Sequence, residues 1–336
     1  MKRYLYLVLL SVVFSTGRAQ MLDDGTANVV NYWAVGDSAV YEMHTMDYKV
    51  VEGDTTVTKD LVERFSLQLT DTLPNGDMIF EYSELQSPDK AKKEAEKLIN
   101  EKFKGIGDIK VQLLTDRLGT FKGINNCDKV IEILNNSGLR DSLRVALLNE
   151  KAIELPETVN RDSLVNFAVD IAFSDRSIRK MLGPVIGLFA FNGKNVQLGE
   201  NFTGLSKQPT IFDDQSYVDV KSNISFSSMA ERGEGMESMI LIRYDNLFDS
   251  DQLTAIALKT FGRVVTDKEI ADKARKAYNN PEMPYAFINE TGYQVIDADS
   301  GTVILYSNTM TAYVNNKYDV RSFSIEYLTE EELAAE

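Results

Sequence analysis

Hydrophobic and polar positions alternate most regularly near the C-terminal end of the chain. Between Gly292 and Leu328, Val303, Leu305, Ser307, Thr309, Thr311 and Tyr313 share one side of an extended chain. Ile304, Tyr306, Asn308, Met310, Ala312 and Val314 share the other. Asn315-Asn316 breaks the run, and Asp319, Arg321, Phe323, Ile325 and Tyr327 start a second alternation. Period two, rich in β-branched and aromatic residues, predicts an antiparallel hairpin. A similar pattern opens the chain. Ser38–Val51 is extended, and Glu52-Gly53-Asp54 supplies a turn. Leu61, Phe65, Leu67 and Leu69 then line one face of the next strand. Pro74-Asn75-Gly76-Asp77 is a second turn, because proline fixes φ and Asn-Gly tolerates positive φ. Met78, Phe80 and Tyr82 continue the meander, and Ile109–Leu114 with Gly119–Phe121 adds a short pair.

The period changes to 3.6 between these strands. Ser87-Pro88-Asp89 opens a helix with Ala91, Ala95, Leu98, Ile99 and Phe103 on one stripe. Three helices are expected in the middle. Val130, Ile131 and Leu134 face inward in the first, Leu139, Leu143 and Leu147 in the second. Leu164, Phe167, Ala168 and Ile171 face inward in the third. Strands return at Lys194–Leu198, Tyr217–Ser228 and Glu237–Tyr244, with an irregular stretch over 201–215. Helices follow at Asp249–Gly262 and at Thr266–Tyr278, where Thr266 and Glu269 form a capping box.

Met181–Phe191 is the most apolar stretch after the N-terminal segment. Two glycines and a proline argue against one regular helix through it, and it is too short to span a bilayer. It is expected to cross the core. As a functional alternative, Met181, Leu182, Val185, Ile186, Leu188, Phe189 and Phe191 would line an apolar cavity. The whole pattern predicts an α+β fold: one or more curved antiparallel sheets with helices packed against one face, and two similar lobes as an option. The boundary would fall between 20–190 and 191–336, unless both segments form one continuous domain.

Residues 1–19 have the makings of a cleaved signal peptide. Lys2 and Arg3 precede a short apolar core, and Gly17 and Ala19 are small residues before Gln20. This predicts an extracytoplasmic protein, periplasmic or secreted, with no transmembrane anchor after cleavage. The chain carries 36 basic and 51 acidic residues, a net charge of −15. Such a surface disfavours nucleic acid as a partner. The single cysteine, Cys127, has no internal disulfide partner. A chain this large can bury enough apolar surface without one.

Candidate chemistry is thin. The one histidine, His44, sits in the first long strand, far in sequence from Cys127. No Gly-x-Ser-x-Gly elbow, zinc-ligand set or phosphate loop is present. Asp213-Asp214 with Asp219 is too sparse for a calcium loop, and Asp297, Asp299 and Ser300 before Gly301 suit a hairpin turn. No cofactor is expected. Many tyrosines fall in strands, and Asn201, Asn223 and Asn289 begin Asn-x-Ser/Thr sequons.

Four short stretches carry a resemblance. They are Arg18-Ala19-Gln20, Val35-Gly36-Asp37-Ser38-Ala39-Val40-Tyr41, Thr115-Asp116-Arg117-Leu118-Gly119-Thr120-Phe121 and Thr291-Gly292-Tyr293. Together they are similar to uncharacterised secreted β-rich proteins of the Bacteroidota. The resemblance implies an extracytoplasmic β-rich protein and brings no catalytic residues. By architecture, a curved sheet wrapping helices also resembles the lipoprotein-carrier type of fold. The function expected first is a non-catalytic binding or structural protein with an apolar or lipid-like ligand. The alternatives are a two-carboxylate glycan or peptidoglycan hydrolase and an assembly component partnered by an envelope protein.

Overall fold

A computed structural model describes residues 24–85, 103, 109–149, 161–210, 216–230, 238–264, 286–314 and 317–334. The N-terminal half holds β1 (Thr26–Val29), β2 (Ser38–Val51), β3 (Asp54–Thr72), β4 (Met78–Leu85), β5 (Val111–Thr115) and β6 (Phe121–Ile124). A helical middle follows: α1 (Cys127–Asn136), α2 (Leu139–Asn149), α3 (Arg161–Ala172), α4 (Asp175–Met181) and α5 (Gly183–Gly187). Then come β7 (Lys194–Gln197), β8 (Asn201–Pro209), β9 (Tyr217–Ala230), β10 (Ser238–Phe248) and α6 (Ser250–Val264). The chain closes with β11 (Ala286–Asp297), β12 (Val303–Val314), β13 (Lys317–Leu328) and α7 (Glu330–Ala334). The expected signal peptide, the helices at Ser87 and Thr266, and Asp213-Asp214 lie outside the described residues.

Eleven strands form one antiparallel sheet in the order β6-β5-β4-β3-β2-β13-β12-β11-β10-β9-β8. The first meander runs outward from β2 and the last returns to it. β13 pairs with β2 along its whole length, from Lys317 opposite Val51 to Leu328 opposite Val40. This corrects the expectation of curved, carrier-like sheets, while the α+β arrangement of helices against an antiparallel sheet stands. The sheet is neither curved round nor closed, and both halves of the chain share it. Among the described residues its end strands, β6 and β8, do not pair with each other. Neighbouring strands lie about 4.8 Å apart, so the two edges stand about 48 Å apart along the sheet.

One face of the sheet is covered. Phe65, Leu67, Leu69, Phe80, Leu113, Ile240, Ile242, Ile296 and Ile325 are buried there against Val130, Ile178, Leu182, Val185, Leu188 and Phe189 of the helical layer. Ala27, Val29 and Val196 of the small β1–β7 ribbon close the same core. The opposite face is largely serine, threonine and charge: Asp245, Thr291, Thr309 and Ser322 stand side by side on four neighbouring strands. A second, smaller cluster joins α2 and α3 through Val165, Val169 and Phe173. The buried stripe of α3 is therefore turned from the expected Leu164–Ile171 positions. That helix is apolar on most sides, so its period alone did not select a face.

Side-chain turns set the strand ends. Asp77 N–H donates to Asn75 Oδ1 at 3.0 Å, and Lys122 Nζ reaches Asp77 Oδ2 at 2.6 Å. Asp116 Oδ1 accepts from the backbone of Leu118 at 2.8 Å and Thr120 at 2.9 Å. Asp297 likewise holds the β11–β12 turn through the N–H groups of Asp299 and Ser300. Within that hairpin the pairing passes from Leu305 to Val303 and skips Ile304. The bulge buries Val303 in the same core as Tyr306, where strict alternation puts them on opposite sides.

Candidate ligand site

The Met181–Phe191 stretch lies over the covered face. The stretch forms the end of α4, then α5 and a turn. Leu182, Val185, Leu188 and Phe189 are buried in the core, and Ile186 and Phe191 are half-buried against it. Met181 is 67% exposed. Phe189 meets Phe80 at 5.3 Å between ring centroids, and Phe191 meets Phe226 and Tyr244 at 6.1 Å each.

Polar groups collect under α5. Gly187 presses on Tyr306, so closely that a Cβ at 187 would lie 2.4 Å from the Tyr306 ring. The Gly187 carbonyl accepts a hydrogen bond from Gln294 Nε2 at 2.5 Å. Tyr244 Oη donates to Tyr306 Oη at 3.2 Å. Asn308 Nδ2 donates to Tyr244 Oη at 2.6 Å and to Glu290 Oε1 at 2.6 Å. Asn246 Nδ2 donates to Glu290 Oε2 at 2.9 Å. Register makes this a cluster: Tyr306 stands opposite Gln294, and Asn308 opposite Gly292, itself opposite Tyr244. Gln294 is fully buried, and among the described residues nothing donates a hydrogen bond to its Oε1. Sequence reasoning named the apolar cover and missed Gln294, Asn308 and Glu290. Polar residues spaced by two on the inward side of β11 and β12 were the available signal.

Burial pushes the Tyr306 hydroxyl up to about 12. Burial and the neighbouring Tyr306 push Tyr244 further in the same direction. Both stay protonated near neutral pH and act as donors rather than bases. The sign at high pH follows. An unfolded tyrosine ionises near 10, so below that pH both states are protonated. Above it the unfolded state releases protons first, and each buried tyrosine costs about 1.4 kcal/mol of stability per pH unit until its folded value is passed. The urea midpoint should therefore fall steeply between pH 10 and 12. A flat profile over that window would refute the burial of these hydroxyls.

The other candidate residues stay apart. His44 Nε2 pairs with Asp60 Oδ1 at 2.7 Å on the opposite, solvated face. Cys127 Sγ donates to Asp175 Oδ1 at 2.8 Å, and burial together with that bond pushes the thiol up to about 12. A thiol reagent should label Cys127 slowly in the native protein and rapidly in denaturant; prompt native labelling would overturn this assignment. Asp219 is engaged by Gln252 Nε2 at 2.7 Å. Among the described residues, no group of three His, Cys, Asp or Glu side chains could hold a metal ion. No described helix is long and apolar enough to cross a membrane. An open groove of about 420 Å³ on the solvated face is lined by Asn201, Thr203, Asn223, Ser225, Arg243 and Asp245, among others. Thr203 Oγ1 donates to Asn223 Oδ1 there at 3.0 Å, joining two of the sequons. In comparisons with known proteins, the chain matches no family model and no curated protein.

Proposed function

We propose that this is a non-catalytic, extracytoplasmic binding protein whose ligand is an apolar molecule with a hydroxyl-bearing head. The observation that carries the reading is Gln294 Oε1, fully buried beside Tyr306 and without a donor among the described residues. A buried acceptor without a donor costs about 1–3 kcal/mol. Tyr306 accepts from Tyr244, which leaves its own O–H to donate. One hydroxyl group could satisfy both, donating to Gln294 and accepting from Tyr306. Half-buried Phe323 and Ile186 border the cluster and offer apolar surface for the rest of such a molecule. Glu290 does not favour the hydrolase alternative, since both its oxygens already accept amide N–H groups.

Native mass spectrometry of the mature chain, exported with its own N-terminal segment, tests the reading. A fluorescent long-chain alcohol serves as the probe. We expect a co-purified amphiphile or saturable probe binding, weakened about tenfold by Gln294→Leu through loss of one buried hydrogen bond. Absence of both bound compound and probe response would reject it.

A further inference from the structure

The two edges of the sheet are unlike. β6 has four residues, of which Gly123 and Ile124 are buried, and it runs directly into α1. β8 has nine residues, and Asn201 to Lys207 are all exposed. Among the described residues it pairs with β9 alone. Leu205, at its centre, is 82% exposed, more than any other large apolar side chain described.

The direction of the free backbone groups follows from the register. Thr210 N–H donates to Ser216 O at 2.9 Å and Phe226 N–H donates to Glu200 O at 3.5 Å, so the even-numbered positions of this strand bond inward to β9. Antiparallel alternation then turns the N–H and C=O groups of Asn201, Thr203, Leu205 and Lys207 outward. Pro209, which has no N–H, falls at an outward position as well, where an edge strand tolerates proline. These outward groups are spaced symmetrically about Leu205.

We propose that β8 pairs antiparallel with β8 of a second copy, across a two-fold axis at Leu205, to make a sheet continuous through a dimer. In that register Leu205 faces Leu205, Thr203 faces Lys207, and Asn201 donates to the Pro209 carbonyl. Charge favours this edge for self-association. The chain's net charge is −15, yet Asn201–Pro209 contains no acid and one base, Lys207. Lys207 and Pro209 guard only the C-terminal end of the strand, leaving its centre open. Because β6 is short and its last two residues are buried, pairing closes as a two-fold dimer instead of continuing as a fibre.

Sedimentation velocity of the mature chain over a concentration series tests this. The wild type should show a reversible monomer–dimer equilibrium. Leu205→Glu and Leu205→Lys should each weaken it about tenfold or more by placing like charges directly opposite, and mixing the two should restore it. Leu205→Pro should abolish it, because only an outward N–H is lost. Unchanged thermal melts of these exposed-site variants establish that the fold is intact. A strictly monomeric wild type overturns the proposal. So does a dimer that survives the single variants, or one that the mixture fails to restore.

Discussion

Valine at position 292 should cost the protein about 2–5 kcal/mol, a large share of the roughly 5–15 kcal/mol that holds a domain folded. Gly292 lies in β11 between Tyr244 on β10 and Asn308 on β12. A Cβ there would sit 2.4 Å from Tyr244 Oη and 2.5 Å from the Ser307 carbonyl oxygen. The carbonyl belongs to a paired strand and cannot retreat. The tyrosine can, but only by giving up its bonds to Tyr306 and Asn308. Valine's better strand propensity offsets part of this, by under about 1 kcal/mol. The urea midpoint should drop with the denaturant slope unchanged. Gly204 in β8 is the control, because nothing lies within 4 Å of a Cβ placed there. Gly204→Ala should be neutral or slightly stabilising. Equal losses at 204 and 292 would mean that glycine matters for the strand backbone and not for the tyrosine above it.

The strands were legible where one side chain in two is buried. β3 shows it best: Phe65, Leu67 and Leu69 are buried while Gln68 and Thr70 are exposed, so period two survives in the sequence. β8 was not legible, and its Asn-Phe-Thr-Gly-Leu-Ser-Lys-Gln-Pro run was expected to be irregular. An edge strand with both faces exposed has no burial to impose alternation, and Gly204 and Pro209 mask it further. β1 was missed for a related reason: four residues pairing with β7 are too few to show a period. Curvature, lobes and strand order were not legible at all. They depend on β13 meeting β2, and nothing local in either strand names its partner.

The candidate site was half legible. Its apolar cover stood out as the densest apolar run, while its polar floor is assembled from β10, β11 and β12, which only register brings together. Even within the cover, composition misled. Met181 was grouped with six buried or half-buried neighbours, yet it points outward. Ile178, Leu182, Val185 and Phe189 follow a helical i, i+4, i+7, i+11 spacing, carried through Gly183-Pro184 by two short helices. Proline near the start of α5 is compatible with that, since the first helical turn needs no donor from it.

Phe189→Ala should therefore cost about 3–5 kcal/mol, and Met181→Ala under about 0.5 kcal/mol, although both sit in one apolar run. Phe189 is 2% exposed and wedged against Phe80, which in turn meets Trp33 at 5.2 Å. Removing the ring opens a cavity between the helical cover and the sheet, where neither Phe80 nor the β3–β4 pairing can move in to fill it. Phe80→Ala should be similarly costly. The double variant should fall short of the sum by about 0.5–3 kcal/mol, because each ring packs on the other. Met181 ends α4 with its side chain in solvent, so truncation removes little buried surface. Denaturant midpoints of the four proteins measure all of this. A Met181→Ala loss matching that of Phe189→Ala would mean that the run acts as a uniform greasy patch. Additive losses at 80 and 189 would mean that the cover and the sheet do not meet through these rings. A strong coupling with a silent Met181 would place the mechanical link between helices and sheet at Phe189, next to the Gly187 carbonyl that holds Gln294.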